Sequence, residues 1–242
     1  MFWTRLAAAL LLAVLLRGDF SALTAGGLVF FREILFPYAW LFLVLDPVIA
    51  RRRLNDKKRF VFGASFAFLY SGIYTKIMHD GLRPLGLDWG AVLFEPLKWG
   101  IFVVLWFHCL EALFPEKGNP APESRSWRGA ILGLSASALA LYALRVSTGF
   151  FVIERLEAPY GYLWDGVFFF TAAGLARWAW RGEPAEVPRP TVTKLMLWAA
   201  GLKIAASLLG VVGPRWAVGI SLNLPSQALF FYAFFRSPEA AA

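Results

Sequence analysis

The sequence predicts an all-α integral membrane protein: a bundle of about eight transmembrane helices with short loops and no soluble domain. Three observations predict it. Apolar stretches long enough to cross a bilayer recur from one end of the 242 residues to the other. Only 17% of the residues are charged and 59% are hydrophobic, whereas a soluble domain carries roughly 25% charge, enough to cover its surface. The charges that exist gather between the apolar stretches, most densely in Arg51-Arg52-Arg53-Leu54-Asn55-Asp56-Lys57-Lys58-Arg59. Residues 1–242 read as a single polytopic membrane domain.

The first apolar run, residues 6–16, follows Arg5 and resembles the start of a signal peptide. Its cleavage site is poor, because Leu23-Thr24-Ala25 puts leucine where a small residue is wanted. A retained short helix is therefore expected; removal would leave seven spans. The remaining spans are expected at residues 27–50 (apolar core 34–50), 60–78, 96–114, 129–147, 161–180, 194–212 and 216–235. These runs are apolar on all sides, whereas barrel strands alternate. Trp89, Trp127, Trp164, Trp178, Trp180 and Trp216 fall at span ends, where indole rings anchor at headgroup level.

Lysine and arginine are enriched in cytoplasmic loops. With the Arg51–Arg59 loop in the cytoplasm, most of the basic residues fall on that side. Both termini are then cytoplasmic, in a bacterial-type inner membrane. The net charge of +8 is thereby assigned to orientation, and nucleic acid is not an expected partner. The longer loops, 115–128 and 181–193, are rich in proline and read as linkers. No phosphate-cradling glycine motif is present, so neither nucleotide nor cofactor is expected. One cysteine, Cys109, leaves no internal disulfide. A faint echo between residues 27–35 and 90–97 is read as coincidence of composition.

Lys203 is the sharpest chemical feature. It lies about ten residues before the turn at Gly213-Pro214, hence about 15 Å deep, near the midplane. Charge there is costly and marks a functional site by default. Asn223 lies at equal depth on the next helix, with Ser226 and Gln227 close by, and Pro225 breaks the backbone ladder between them. Interrupted helices at mid-membrane often build transporter sites. Lys203, Asn223, Ser226 and Gln227 are therefore the expected ligand set.

Asp165 and Glu95 are further candidates near the outer surface. Glu95 precedes Pro96, with Lys98 three residues on, which reads as a helix start. Arg32, Glu33, His79, Asp80, Arg83, Asp88, Arg145, Glu154, Arg155, Glu157, Tyr160 and Tyr162 gather at the same end. Asp46 is placed to pair with the basic run, and Arg51, Arg52, Arg53, Lys57, Lys58 and Arg59 could hold anionic lipid headgroups. His108 and Glu111 lie three apart, the reverse of the order used in di-metal bundles, so metal is not expected. A chromophore on Lys203 is not expected either, since rhodopsin-like lysines lie in the last helix. No Gly-x-Ser-x-Gly elbow occurs, and no Ser/His/Asp set is expected at one depth.

The expected function is that of a small transporter, permease or lipophilic-ligand-binding membrane protein with a midplane polar site. The alternatives are a non-catalytic subunit of a membrane complex, and a lipid-modifying enzyme using Glu95, Asp165 or His79. The partners expected are the lipid bilayer and other membrane subunits.

Overall fold

The computed structural model describes residues 2–18, 36–52, 54–80, 82–115, 161–181, 190–212 and 218–237. Of these, 89% are helical and none lies in a strand. Seven α-helices are present among the described residues: α1 (Phe2–Arg17), α2 (Phe36–Arg52), α3 (Asp56–Ala67), α4 (Trp89–Leu113), α5 (Gly161–Trp180), α6 (Pro190–Val212) and α7 (Leu224–Arg236). A π-helical turn, Phe68–Tyr74, extends α3, and a second, Gly219–Asn223, leads into α7. Among the described residues two helices are long and apolar enough to cross a bilayer: α4 over its whole length and α6 over Thr191–Val211. The expected span at 129–147 lies outside the described residues, as do 27–35, Arg53, most of the two proline-rich loops and much of the outer-face charge set.

The chain divides into two compact units. The first holds Met1–Lys57, Phe102–Ala121 and Glu183–Ala242. Here α1 packs on α2 and α6, and α6 packs on α7. Ala9 and Ala13 are fully buried, which lets the α1 backbone come close to its neighbours. The Trp106 indole N–H donates to the Ala9 carbonyl at 2.8 Å. Phe102 stacks on Trp106 at 5.1 Å, and Tyr38 and Phe42 close over them. Arg5 donates to Asp46 from Nη2 at 2.8 Å and from Nε at 3.1 Å. Asp46 thus binds α1 to α2, where the sequence placed it against the basic run. The helix runs on through Pro47 to Arg52.

The second unit holds Lys58–Ile101 and Pro122–Gly182. Its α3 and the first half of α4 meet at glycines. A Cβ on Gly63 would lie 2.4 Å from the Trp99 carbonyl, and one on Gly100 would strike the Phe60 ring at 2.6 Å. Small residues at a helix contact let backbones approach this closely. Phe66, Tyr70 and Trp99 pack around the crossing, with Phe66 and Trp99 edge to face at 4.7 Å. Ser65 Oγ donates to the Ala172 carbonyl at 2.8 Å and ties α3 to α5.

Pro96 does not open its helix, as the sequence suggested. The helix begins at Trp89 and Pro96 lies inside it. Asp88 is the cap: its Oδ1 accepts the Ala91 N–H at 3.2 Å, the bond an N-cap side chain makes. An aspartate cap outweighs the first-turn preference of proline, because interior proline is tolerated in apolar helices whose neighbours satisfy the freed carbonyl.

Candidate functional site

Two polar centres are built beside the two π-helical turns. Such turns widen the helix and often occur where a helix is adapted for function.

In the first unit, Lys203 lies on α6 and Asn223 closes the π-turn before α7. Lys203 Nζ donates to Asn223 Oδ1 at 2.6 Å, and both residues are half-buried. Pro225 follows, with no N–H to give the ladder, and the widened turn accommodates it. The other two members of the expected set go elsewhere. Ser226 Oγ is buried and donates to the Ala199 carbonyl at 2.8 Å, a pin between α6 and α7. Gln227 is exposed.

The second unit gathers more charge. Asp165 lies in the second turn of α5, and Lys76 and His79 come from the turn after Tyr74. Lys76 Nζ donates to Asp165 Oδ1. His79 Nε2 stands 3.5 Å from that carboxylate oxygen and 3.5 Å from the ammonium. All three side chains are largely buried, at 16%, 11% and 7% exposure for Lys76, Asp165 and His79. The loop that carries them is fixed from both ends. The Thr75 N–H donates to the Tyr70 carbonyl at 2.7 Å and closes the π-turn. His79 forms a bridge with Leu87, and the Asp88 N–H donates to the Met78 carbonyl at 3.0 Å. The Trp164 N–H donates to the Leu85 carbonyl at 2.8 Å and fastens α5 to the same loop. The Phe168 ring lies edge to face against His79 at 5.6 Å. Lys76 itself has φ 58°, the left-handed region usual for a glycine after a helix end. A residue with a Cβ pays about 1–2 kcal/mol there.

Glu95 lies two turns into α4 and accepts from Ser71 Oγ at 2.7 Å and from Lys98 Nζ at 2.6 Å. It is a buried interior carboxylate, where the sequence placed it at an interfacial helix start. Lys98 is half exposed, so that pair adds little stability.

A third group was missed. Among the described residues Asp56, His108 and Ser237 form one hydrogen-bonded chain, although no such set was expected at one depth. Asp56 Oδ1 lies 2.9 Å from His108 Nε2, and Asp56 Oδ2 accepts from Ser237 Oγ at 2.9 Å. All three are buried. The carboxylate stands between imidazole and hydroxyl, so the histidine is not placed to activate the serine. This order joins the start of α3 and the end of α7 to α4. It is not a nucleophile and its base.

The expected headgroup cluster divides. Arg51 and Arg52 end α2, Lys57 and Lys58 are half-buried in the first turn of α3, and Arg59 is buried. Among the described residues no group of three or more His, Cys, Asp or Glu side chains is arranged to hold a metal. No protein family, characterised protein or solved structure matches this chain significantly.

Proposed function

We propose that the chain is a multi-pass inner-membrane protein that binds, and as a small permease passes, a small or lipophilic solute at Lys203 and Asn223. One observation carries the reading. The span Thr191–Val211 of α6 is apolar, yet only 22% of it is buried within the fold, and it carries a lysine at its middle that turns to an amide on the π-turn before α7. Trp198 is 70% exposed and Val211 63%. Leu208 and Leu209 beside them, and Leu224, Tyr232 and Phe235 on α7, are exposed too. Soluble monomers rarely expose apolar surface on this scale. Lipid as the surrounding solvent accounts for it.

Eight spans follow from the seven helices plus residues 129–147, with both termini cytoplasmic and the basic run at 51–59 inside. The buried alanine face of α1 and its Arg5–Asp46 bond support its retention. Anionic lipid headgroups would meet Lys57 and Lys58 there, and other membrane subunits could share the exposed aromatic face.

The amide of Asn223 both accepts and donates, so it can bond an ammonium, a neutral amine or an incoming polar group. A ligand with a polar end can therefore exchange for this contact without leaving the lysine unsatisfied. The test uses a Cys109→Ala background in proteoliposomes. Lys203→Cys is expected to react with a water-soluble maleimide, whereas Trp198→Cys stays unlabelled because lipid surrounds it. A silent Lys203→Cys overturns the ligand site. Labelling of Trp198→Cys overturns the membrane placement.

A further inference from the structure

We infer that the loop leading into α4 is an interfacial anchor, in which Leu82 and Leu85 insert into the headgroup boundary of a phospholipid leaflet. This rests on the membrane placement proposed above and adds a surface that the solute site does not use.

The loop is held by its own hydrogen bonds, so the exposure of its leucines is built in. The Asp80 N–H donates to the Gly86 carbonyl at 3.0 Å, and the Gly86 N–H donates to the Arg83 carbonyl at 2.9 Å. The Asp80 carboxylate accepts from the Leu82 N–H at 3.1 Å and from Arg83 Nε at 3.0 Å. The Trp164 N–H holds the Leu85 carbonyl, and buried Leu87 roots the loop in the fold. On this frame Leu82 is 87% exposed and Leu85 56%. Exposed apolar side chains continue into the first turns of α4 through Trp89, Leu93 and Phe94.

Leu85 carries the argument. Its φ of 62° is left-handed, a conformation that glycine adopts freely and that a Cβ makes costly. A strained leucine packed into the fold would recover that cost there. The side chain of Leu85 is mostly outside the fold, so the recovery lies outside it too. A single exposed leucine is ordinary; two on a fixed loop, one of them strained, form a contact surface.

Three features choose lipid as the occupant. The loop opens α4, which is long and apolar enough to cross a bilayer, so it stands at the mouth of a span. Trp89 is exposed at that mouth, where indole rings settle at headgroup level. Arg83 pairs with Asp80, so the tip presents apolar side chains with their neighbouring charges neutralised, which suits a zwitterionic leaflet. His79 is bridged to Leu87 in this loop, so the depth of the anchor also sets the depth of the Lys76, His79 and Asp165 centre.

The test places an environment-sensitive fluorophore on Leu82→Cys or Leu85→Cys in the full chain with Cys109→Ala, reconstituted into phosphatidylcholine vesicles. Both side chains are exposed, so the substitutions leave the core untouched. Flotation of the vesicles first checks that the protein is in the membrane; a chain that stays behind overturns the membrane reading itself. In floating protein, lipid with a nitroxide near the headgroup is expected to quench both labels several-fold more than lipid with a nitroxide near the acyl-chain end. Iodide in the water is expected to quench them several-fold less than it quenches the free fluorophore. Labels open to iodide and untouched by either lipid overturn the anchor while leaving the membrane placement intact. Labels shielded from both water and lipid also overturn it, because protein then covers the loop. Leu85→Gly relieves the left-handed strain and deletes half of the anchor, so it is expected to keep the fold and increase iodide quenching at Leu82→Cys. A label that Leu85→Gly does not move would mean that the leucine is strained for no contact, and the inference fails.

Discussion

Two lysines sit beside π-helical turns, and the fold handles them in different ways. Lys203 lies on a regular helix and reaches a neutral amide on the turn. Lys76 lies just after its turn, in a left-handed conformation, and reaches a carboxylate and an imidazole. An amide partner tolerates a charged or a neutral amine and can be replaced by a ligand. A carboxylate partner fixes the charge and leaves a large penalty if it is lost. The first arrangement is suited to exchange and the second to holding a position.

The sharpest way to break this contrast is to delete the two acceptors. Asp165→Ala leaves the buried Lys76 ammonium without its carboxylate, and removal of one partner of a buried pair costs about 3–5 kcal/mol. Asn223→Ala deletes one hydrogen bond from a half-buried lysine and costs about 1–3 kcal/mol. Reversible unfolding in mixed micelles measures both. Equal losses would mean that the two lysines are held in the same way.

The next test separates the scaffolds. A Cβ on Gly72 would meet the Phe168 ring at 2.7 Å, and that ring is buried against His79. Gly72→Ala should cost about 1–3 kcal/mol, as overpacking does, and should shift the His79 imidazole signal in NMR spectra. Gly210, on the helix of Lys203, has nothing within 4 Å of a built Cβ. Gly210→Ala should be neutral or stabilise by up to about 1 kcal/mol, since alanine restricts the unfolded chain more than glycine does. Loss of stability on Gly210→Ala would place a tight contact where the comparison needs an open one.

The sequence made different parts of these centres visible for physical reasons. Lys203 and Asn223 were legible because two helices joined by a short turn must match depth, and depth is counted in residues. The helix at 161–180 was legible because its apolar run has clear ends. Asp165 and His79 were noticed at the same end, but Lys76 and the contacts among the three were not, because a π-turn and a left-handed residue redirect the chain in ways that a 3.6-residue period does not encode. Lys76, His79 and Asp165 could have been associated by their common position at the expected outer end. Asp56 was absorbed into the basic run, although its place at the start of a helix puts it level with His108 and the end of α7. Pro96 misled because proline is usually read as a first-turn residue, while the decisive signal was Asp88 eight residues earlier.

The smallest expected effect sharpens the comparison within a single centre. Ser226 and Gln227 were expected beside Lys203, but Ser226 bonds the Ala199 carbonyl and Gln227 faces outward. Ser226→Ala should therefore cost only about 0.5–1.5 kcal/mol, the net worth of one hydrogen bond, because the carbonyl of Ala199 keeps its place in the helix ladder. On the proposed membrane placement, Gln227→Leu should leave stability unchanged or raise it, since an exposed amide gives way to a side chain that lipid solvates. Neither change should alter maleimide reactivity at Lys203→Cys, which depends on water reaching the space beside Asn223. If Ser226→Ala changed that reactivity as much as Asn223→Ala did, the hydroxyl would belong to the lysine centre, and the assignment of Ser226 as a pin between two helices would fail.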